Sequence, residues 1–235
     1  MTTIVIYVIL GATWLFALVV QRRMKATYAR YSAVPNRVGL TGAAVARQIL
    51  DANGLGKVHL EVAPGKLTDH YDPRTQAIRL SPENARDASV AAMAVSAHEA
   101  AHALQDAAEY APLELRTAVF RIVQVGARVG IPVAILGSSL GSRSMFLLGM
   151  LGYVGSILFH FVTLPVEFDA SRRALAQLKR LGIMRGEQEE AEAKTTLRAA
   201  AMTYVAGAAS AAGFLLIVGA DVLRALGALP GRRAV

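Results

Sequence analysis

The 235-residue chain has no cysteine, few aromatic residues (6%) and few charged ones (18%). The missing thiols exclude a disulfide scaffold, a thiolate zinc site, an iron–sulfur cluster and a cysteine nucleophile. Any metal must therefore be held by His and carboxylate. The scarcity of charge, with 54% hydrophobic residues and a mean hydropathy of +0.40, excludes disorder and the composition of an ordinary water-soluble domain. Acids are the scarcer sign: 17 Asp and Glu stand against 25 Lys and Arg, a net charge of +8. The basic residues are interleaved with acids and carry no stacking aromatics among them, so no nucleic-acid partner is expected.

What the chain has instead is long apolar runs. Residues 4–20 and 199–220 hold no charged residue, and residues 144–166 hold only His160 as a titratable group. About 20 apolar residues cross a ~30 Å hydrocarbon core as helix. A weaker run, 119–141, is interrupted by Arg121 and Arg128, which share a helix face and can turn toward protein or snorkel to an interface. Four transmembrane spans in a lipid bilayer are expected. The first lacks a basic leader and a small-x-small cleavage pattern, so it reads as an uncleaved anchor rather than a signal peptide. Arg22, Arg23 and Lys25 follow it and place that end in the cytoplasm. Under this topology the inner segments 21–117 and 167–198 carry 12 and 7 Lys/Arg, against Arg143, Arg224, Arg232 and Arg233 outside. A multi-pass membrane location with these inner segments in the cytoplasm is expected.

The segment between the first two spans reads as a soluble module. Thr41 caps a helix over residues 43–52 that Asn53 and Gly54 close. Residues 58–62 alternate as a strand, 63–65 turn, and 76–80 form a second strand after the turn-rich 69–74. Residues 89–109 are alanine-rich without a breaker and read as a helix capped by Asp87 or Ser89.

That helix carries His98-Glu99-Ala100-Ala101-His102, an HExxH pattern. Residues i and i+4 share a helix face, so the two imidazoles can meet one Zn²⁺ at ~2.0–2.1 Å, with Glu99 one position round as general base and acid for an activated water. The bland alternative is an amphipathic helix whose histidines face water. A catalytic zinc commonly has three protein ligands, and no third His follows in residues 103–108. Glu167, directly after the third span, fits best as the third. Pro165 two residues earlier predicts that Glu167 lies in the first turn of a new helix or just past a kink, where Glu167 and Asp169 could instead merely balance the helix dipole.

These residues resemble a known family. Tyr31 with residues 36–42, Leu67-Thr68-Asp69-His70-Tyr71-Asp72-Pro73, Ala97-His98-Glu99 with His102-Ala103-Leu104-Gln105, and Leu164-Pro165-Val166-Glu167-Phe168 look like the YugP-type neutral zinc metallopeptidases of bacterial membranes, over nearly the whole chain. More distantly the chain is similar to HtpX-type gluzincins. The resemblance implies a membrane-embedded zinc protease with one Zn²⁺ per chain, His98, His102 and Glu167 as ligands and Glu99 as acid/base. Those gluzincins usually place an Asp four residues after the ligand Glu. Here that position is Ser171, and Asp169 stands two earlier, so either can orient a ligand histidine.

Secondary candidates carry less. His70 and Tyr71, in the turn-rich loop, can donate to an oxyanion, or His70 simply bonds its own backbone. Arg172 and Arg173 can bind a substrate carboxylate, although a positive cytoplasmic flank explains them more simply. His160 reads as a buried, hydrogen-bonded histidine between spans, and His59 as surface. The strand 76–80 offers a place for an extended peptide to add as a strand. The expected fold is mainly helical: about four spans with a cytoplasmic zincin-like α+β module bearing the HExxH helix and a short β-hairpin, one metallopeptidase domain over residues 1–235. The expected function is a zinc endopeptidase acting on membrane-associated peptide or protein substrates at the cytoplasmic face. A non-catalytic zinc-binding scaffold of the same fold is the alternative, and a regulatory membrane partner or a homo-oligomer stays open.

Overall fold

The structure is a computed structural model that describes residues 3–225. Its elements run α1 (Thr3–Ser32), α2 (Gly42–Asp51), β1 (His59–Val62), β2 (His70–Asp72), β3 (Ala77–Leu80), α3 (Pro82–Arg86), α4 (Val90–Ala107), α5 (Ala111–Ser139), α6 (Arg143–Arg180) and α7 (Gly186–Ala225). The chain is thus mainly helical with a small sheet. It divides into two compact units, one built around Leu115–Thr163 with the first part of α1 and the last part of α7, the other formed by Val20–Glu114 and Leu164–Thr203.

In the first unit α5 and α6 meet backbone to backbone. A Cβ on Gly149 would stand 2.4 Å from the Ala134 nitrogen and 2.5 Å from the Gly130 carbonyl oxygen, and one on Gly126 would stand 2.4 Å from the Gly152 oxygen. Small residues at such positions let helices approach where apolar surroundings give little other reason to associate. Outside this seam apolar side chains face outward, among them Trp14, Ile122, Ile135, Leu151 and Leu158. Among the described residues α5 and α6 are the two helices long and apolar enough to cross a membrane. Arg121 and Arg128 are exposed on α5.

The second unit has a continuous hydrophobic core through α2, β3, α4 and the downstream parts of α6 and α7, with Val45, Ile49, Ile78, Met93, Ala97, Ala101, Ala170, Leu178 and Leu197 in its interior. Two polar caps open its helices as the sequence indicates: the Thr41 hydroxyl accepts from the Ala44 N–H, and the Ser89 hydroxyl from the Ala92 N–H. Each satisfies an amide that has no intrahelical partner. At the other end of α4, Glu109 takes a left-handed φ of 49°, and the amides of Glu109 and Tyr110 turn back to the carbonyls of Asp106 and Gln105, a Schellman closure. Gly42 seats α2, since a Cβ there would lie 2.1 Å from the Asn84 carbonyl oxygen and 2.3 Å from Ser96 Oγ.

Several local expectations are corrected. The strands expected to form a hairpin, β1 and β3, pair in parallel, with His59 beside Ala77 and Val62 beside Leu80. The antiparallel partner of β3 is β2, inside the segment expected to be a loop. The order is β1-β3-β2, so β3 is the central strand and offers no free edge. Arg79 on β3 ties both neighbours to it, reaching Glu61 at 2.8 Å and Asp72 at 3.3 Å. A short helix, α3, follows at Pro82, where a missing N–H costs nothing. Finally, α6 runs unbroken past Pro165, so Glu167 opens no new helix. Val166, Ala170, Ala174 and Leu178 are fully buried at four-residue intervals, and this apolar stripe holds the helix against the loss of one backbone bond.

Candidate metal centre

The alanines of α4 allow the site. Ala97, Ala100, Ala101 and Ala103 are buried, so the helix packs closely on that side while His98 and His102, one turn apart, emerge on a common face. Their rings meet edge to face with centroids 4.7 Å apart. Glu167, brought from α6, lies between them: its Oε2 is 3.1 Å from His98 Nε2 and 3.8 Å from His102 Nε2. One donor atom from each of the three lies within 4.8 Å of the others, and this is the group that could hold a metal ion among the described residues. Donors arranged tetrahedrally about a metal at ~2.1 Å stand roughly 3.4 Å apart, a value that the two distances bracket.

The donor chemistry fits zinc as well. Each imidazole presents Nε2 to the carboxylate and engages its other nitrogen elsewhere. Ser171 Oγ lies 3.3 Å from His98 Nδ1, and Gln105 Oε1 lies 2.9 Å from His102 Nδ1. A supported second nitrogen is the usual state of a metal-binding histidine. Glu167 is 2% exposed. Burial raises its carboxyl, but hydrogen bonding and electrostatic attraction to His102 and His98 outweigh that and hold it well below the usual carboxylate range. Glu99, beside His98 in α4, is also buried.

Of the residues singled out from sequence, the structure brings together His98, His102, Glu167, Ser171 and Asp169. Asp169 does not bond a histidine directly: it accepts from Gln105 Nε2 at 2.9 Å, and also from Arg172 and, at 2.6 Å, from Arg173. Burial raises the Asp169 carboxyl, and these bonds more than reverse the effect. Arg172 and Arg173 are thereby committed to Asp169, and Arg173 also lies over the Tyr110 ring at 5.6 Å. His70 is not in the group. It is exposed on β2 with Nδ1 2.8 Å from the Thr68 carbonyl oxygen, which is the local backbone bonding that loop-region histidines favour. Tyr71 donates its phenol to Asp106 at 2.7 Å, and burial with that bond raises its pKa strongly, so its proton stays. His59 is exposed as expected, whereas His160, expected to be buried, is exposed, its ring beside Gly207. Gln105 is the contact that sequence reading missed. Its signal was present: a polar residue three positions after His102, on the ligand face of an otherwise alanine-rich helix.

A family described as "Putative neutral zinc metallopeptidase" matches residues 5–219 of the chain. The chain is 40% identical over 188 residues to "Putative membrane protease YugP" of Bacillus subtilis (strain 168), an alignment covering 80% of this chain and 83% of that protein. No solved structure gives a significant match.

Proposed function

Because the chain belongs to the family of neutral zinc metallopeptidases, we propose that it is a membrane zinc endopeptidase of gluzincin type. In this reading His98, His102 and Glu167 hold one zinc and Glu99 is the general base and acid. The observation that carries the reading is the convergence of Glu167 Oε2 on both imidazole Nε2 atoms, at 3.1 and 3.8 Å. Zinc bound there supplies Lewis acidity, lowering the pKa of water to about 7 and polarising the scissile carbonyl. Glu99 takes the proton from the attacking water and returns it to the leaving amine, since a carboxylate held in a dry wall can serve both steps. The buried Glu167 carboxylate offsets part of the metal's charge and keeps both rings aimed. Ser171, and Asp169 acting from behind, steady the ligand set.

Four spans, including α1 and the end of α7, set the chain in the inner membrane with the site on the cytoplasmic side. Glu167 directly follows the third span within one helix. A site at that depth has water for hydrolysis and escapes most of the desolvation cost that Glu99 and Glu167 would incur mid-bilayer. Substrates are then membrane proteins or chains delivered to that surface, and an outer strand of the sheet, β2, is where an extended segment can add. The test is hydrolysis of a peptide library by detergent-purified full-length protein. Glu99→Gln is expected to lower turnover roughly 10²–10⁴-fold, the usual share of general acid–base catalysis, with zinc retained. Wild-type turnover in a zinc-loaded Glu99→Gln protein would reject the assignment, and absence of turnover in both would favour a non-catalytic scaffold.

A further inference from the structure

Gln105 is fully buried, yet every polar atom of its amide is used. Nε2 donates to the Val166 carbonyl and to Asp169 Oδ2, both at 2.9 Å, and Oε1 lies 2.9 Å from His102 Nδ1. The orientation of this amide is fixed by chemistry. A backbone carbonyl and a carboxylate paired with Arg172 and Arg173 can only accept, so the NH₂ must face them and the oxygen must face the ring. His102 Nδ1 therefore carries a hydrogen, so Nε2, 3.8 Å from Glu167, is the nitrogen left to meet a metal. Ser171 imposes no such choice on His98, because a hydroxyl at 3.3 Å can donate or accept.

We propose that Gln105 is the positioning residue of the metal centre, locking His102 in its metal-ready tautomer through an amide relay anchored on Asp169 and the Val166 carbonyl. The relay ties α4 to the turn of α6 that bears Glu167, so the same bonds that set the tautomer set the distance between two ligands. This inference rests on the zinc reading above.

The experiment measures zinc affinity of the full-length protein by competition with a chromophoric chelator, a readout independent of turnover. Loss of such a partner typically weakens binding about 10–100-fold, and that is expected for Gln105→Leu. The anchor gives a second contrast: Asp169→Asn keeps an oxygen that accepts from Gln105 Nε2 and leaves the Val166 bond in place, so affinity is expected within a few-fold of wild type, whereas Asp169→Leu is expected to weaken it about tenfold. A merely space-filling Gln105 would tolerate leucine at position 105 and treat the two Asp169 variants alike. Gln105→Leu with wild-type affinity, or a folded Asp169→Asn no better than Asp169→Leu, overturns the relay. If Gln105→Leu does not fold, the Asp169 pair alone decides by the same criterion. Failure of the zinc reading shows separately, as a wild-type chain with no zinc affinity or one indifferent to His98→Ala, and it removes the relay with it.

Discussion

Replacing Glu167 by alanine is the perturbation whose size the geometry constrains best. The carboxylate is 2% exposed and the only acidic group that meets both imidazoles among the described residues. Structural zinc sites bind with an apparent ~10–16 kcal/mol over four ligands, so one ligand is worth roughly 2.5–4 kcal/mol. At about 1.4 kcal/mol per tenfold the expected weakening is on the order of 10²–10³-fold. Competition against a chelator in detergent measures it, with circular dichroism confirming the fold and Glu167→Gln controlling for side-chain volume. Glutamine keeps the shape but loses the charge, so it is expected to fall between wild type and alanine. A folded Glu167→Ala protein that binds zinc within threefold of wild type would mean that this carboxylate is not a ligand and that its approach to His98 reflects a simple ion pair.

Two further outcomes test the scaffold. Gly42→Ala would press a methyl group against the Asn84 carbonyl and Ser96 Oγ. Overpacking of this kind usually costs ~1–3 kcal/mol, so a melting temperature clearly below wild type is expected, and an unchanged one would contradict the close seating of α2. Asp72 titrates against Arg74 and Arg79. Burial raises its carboxyl, but the bonds to these arginines lower it overall. A carboxyl lowered by folding stabilises the protein above its unfolded value and loses that contribution as pH falls through the folded one. Asp72→Asn is therefore expected to be less stable than wild type at pH 6, and the difference is expected to shrink in thermal melts as pH falls below the ordinary carboxylate range. A difference independent of pH would dismiss the Arg79-centred bridge as a source of stability.

How much was legible in the sequence depended on the range of the forces involved. The caps at Thr41 and Ser89, the left-handed closure near Gly54 and the HExxH face of α4 are local, set within one helical turn, and they stand where the residues put them. The approach of Glu167 to the two histidines was legible because a metal reading of the His pair asks for a third donor. What failed was non-local. The parallel pairing of β1 with β3, and β2 itself, depend on contacts that strand propensity does not encode, as with the Tyr71–Asp106 bond that ties β2 to α4. Pro165 allowed either a new helix or a kink before Glu167, and the buried stripe from Val166 to Leu178 keeps α6 one helix through it. Asp169 was read, with Ser171, as one of two residues that could orient a ligand histidine, and the amide that stands between it and His102 comes from 64 residues earlier in the chain.

The central claim is that hydrolysis depends on one metal ion held by His98, His102 and Glu167. Its most direct test is metal analysis of the purified full-length protein alongside its peptidase rate, before and after chelator treatment. One zinc per chain is expected, lost together with turnover on chelation and restored with it on adding zinc back. Full turnover in protein stripped of metal would contradict it.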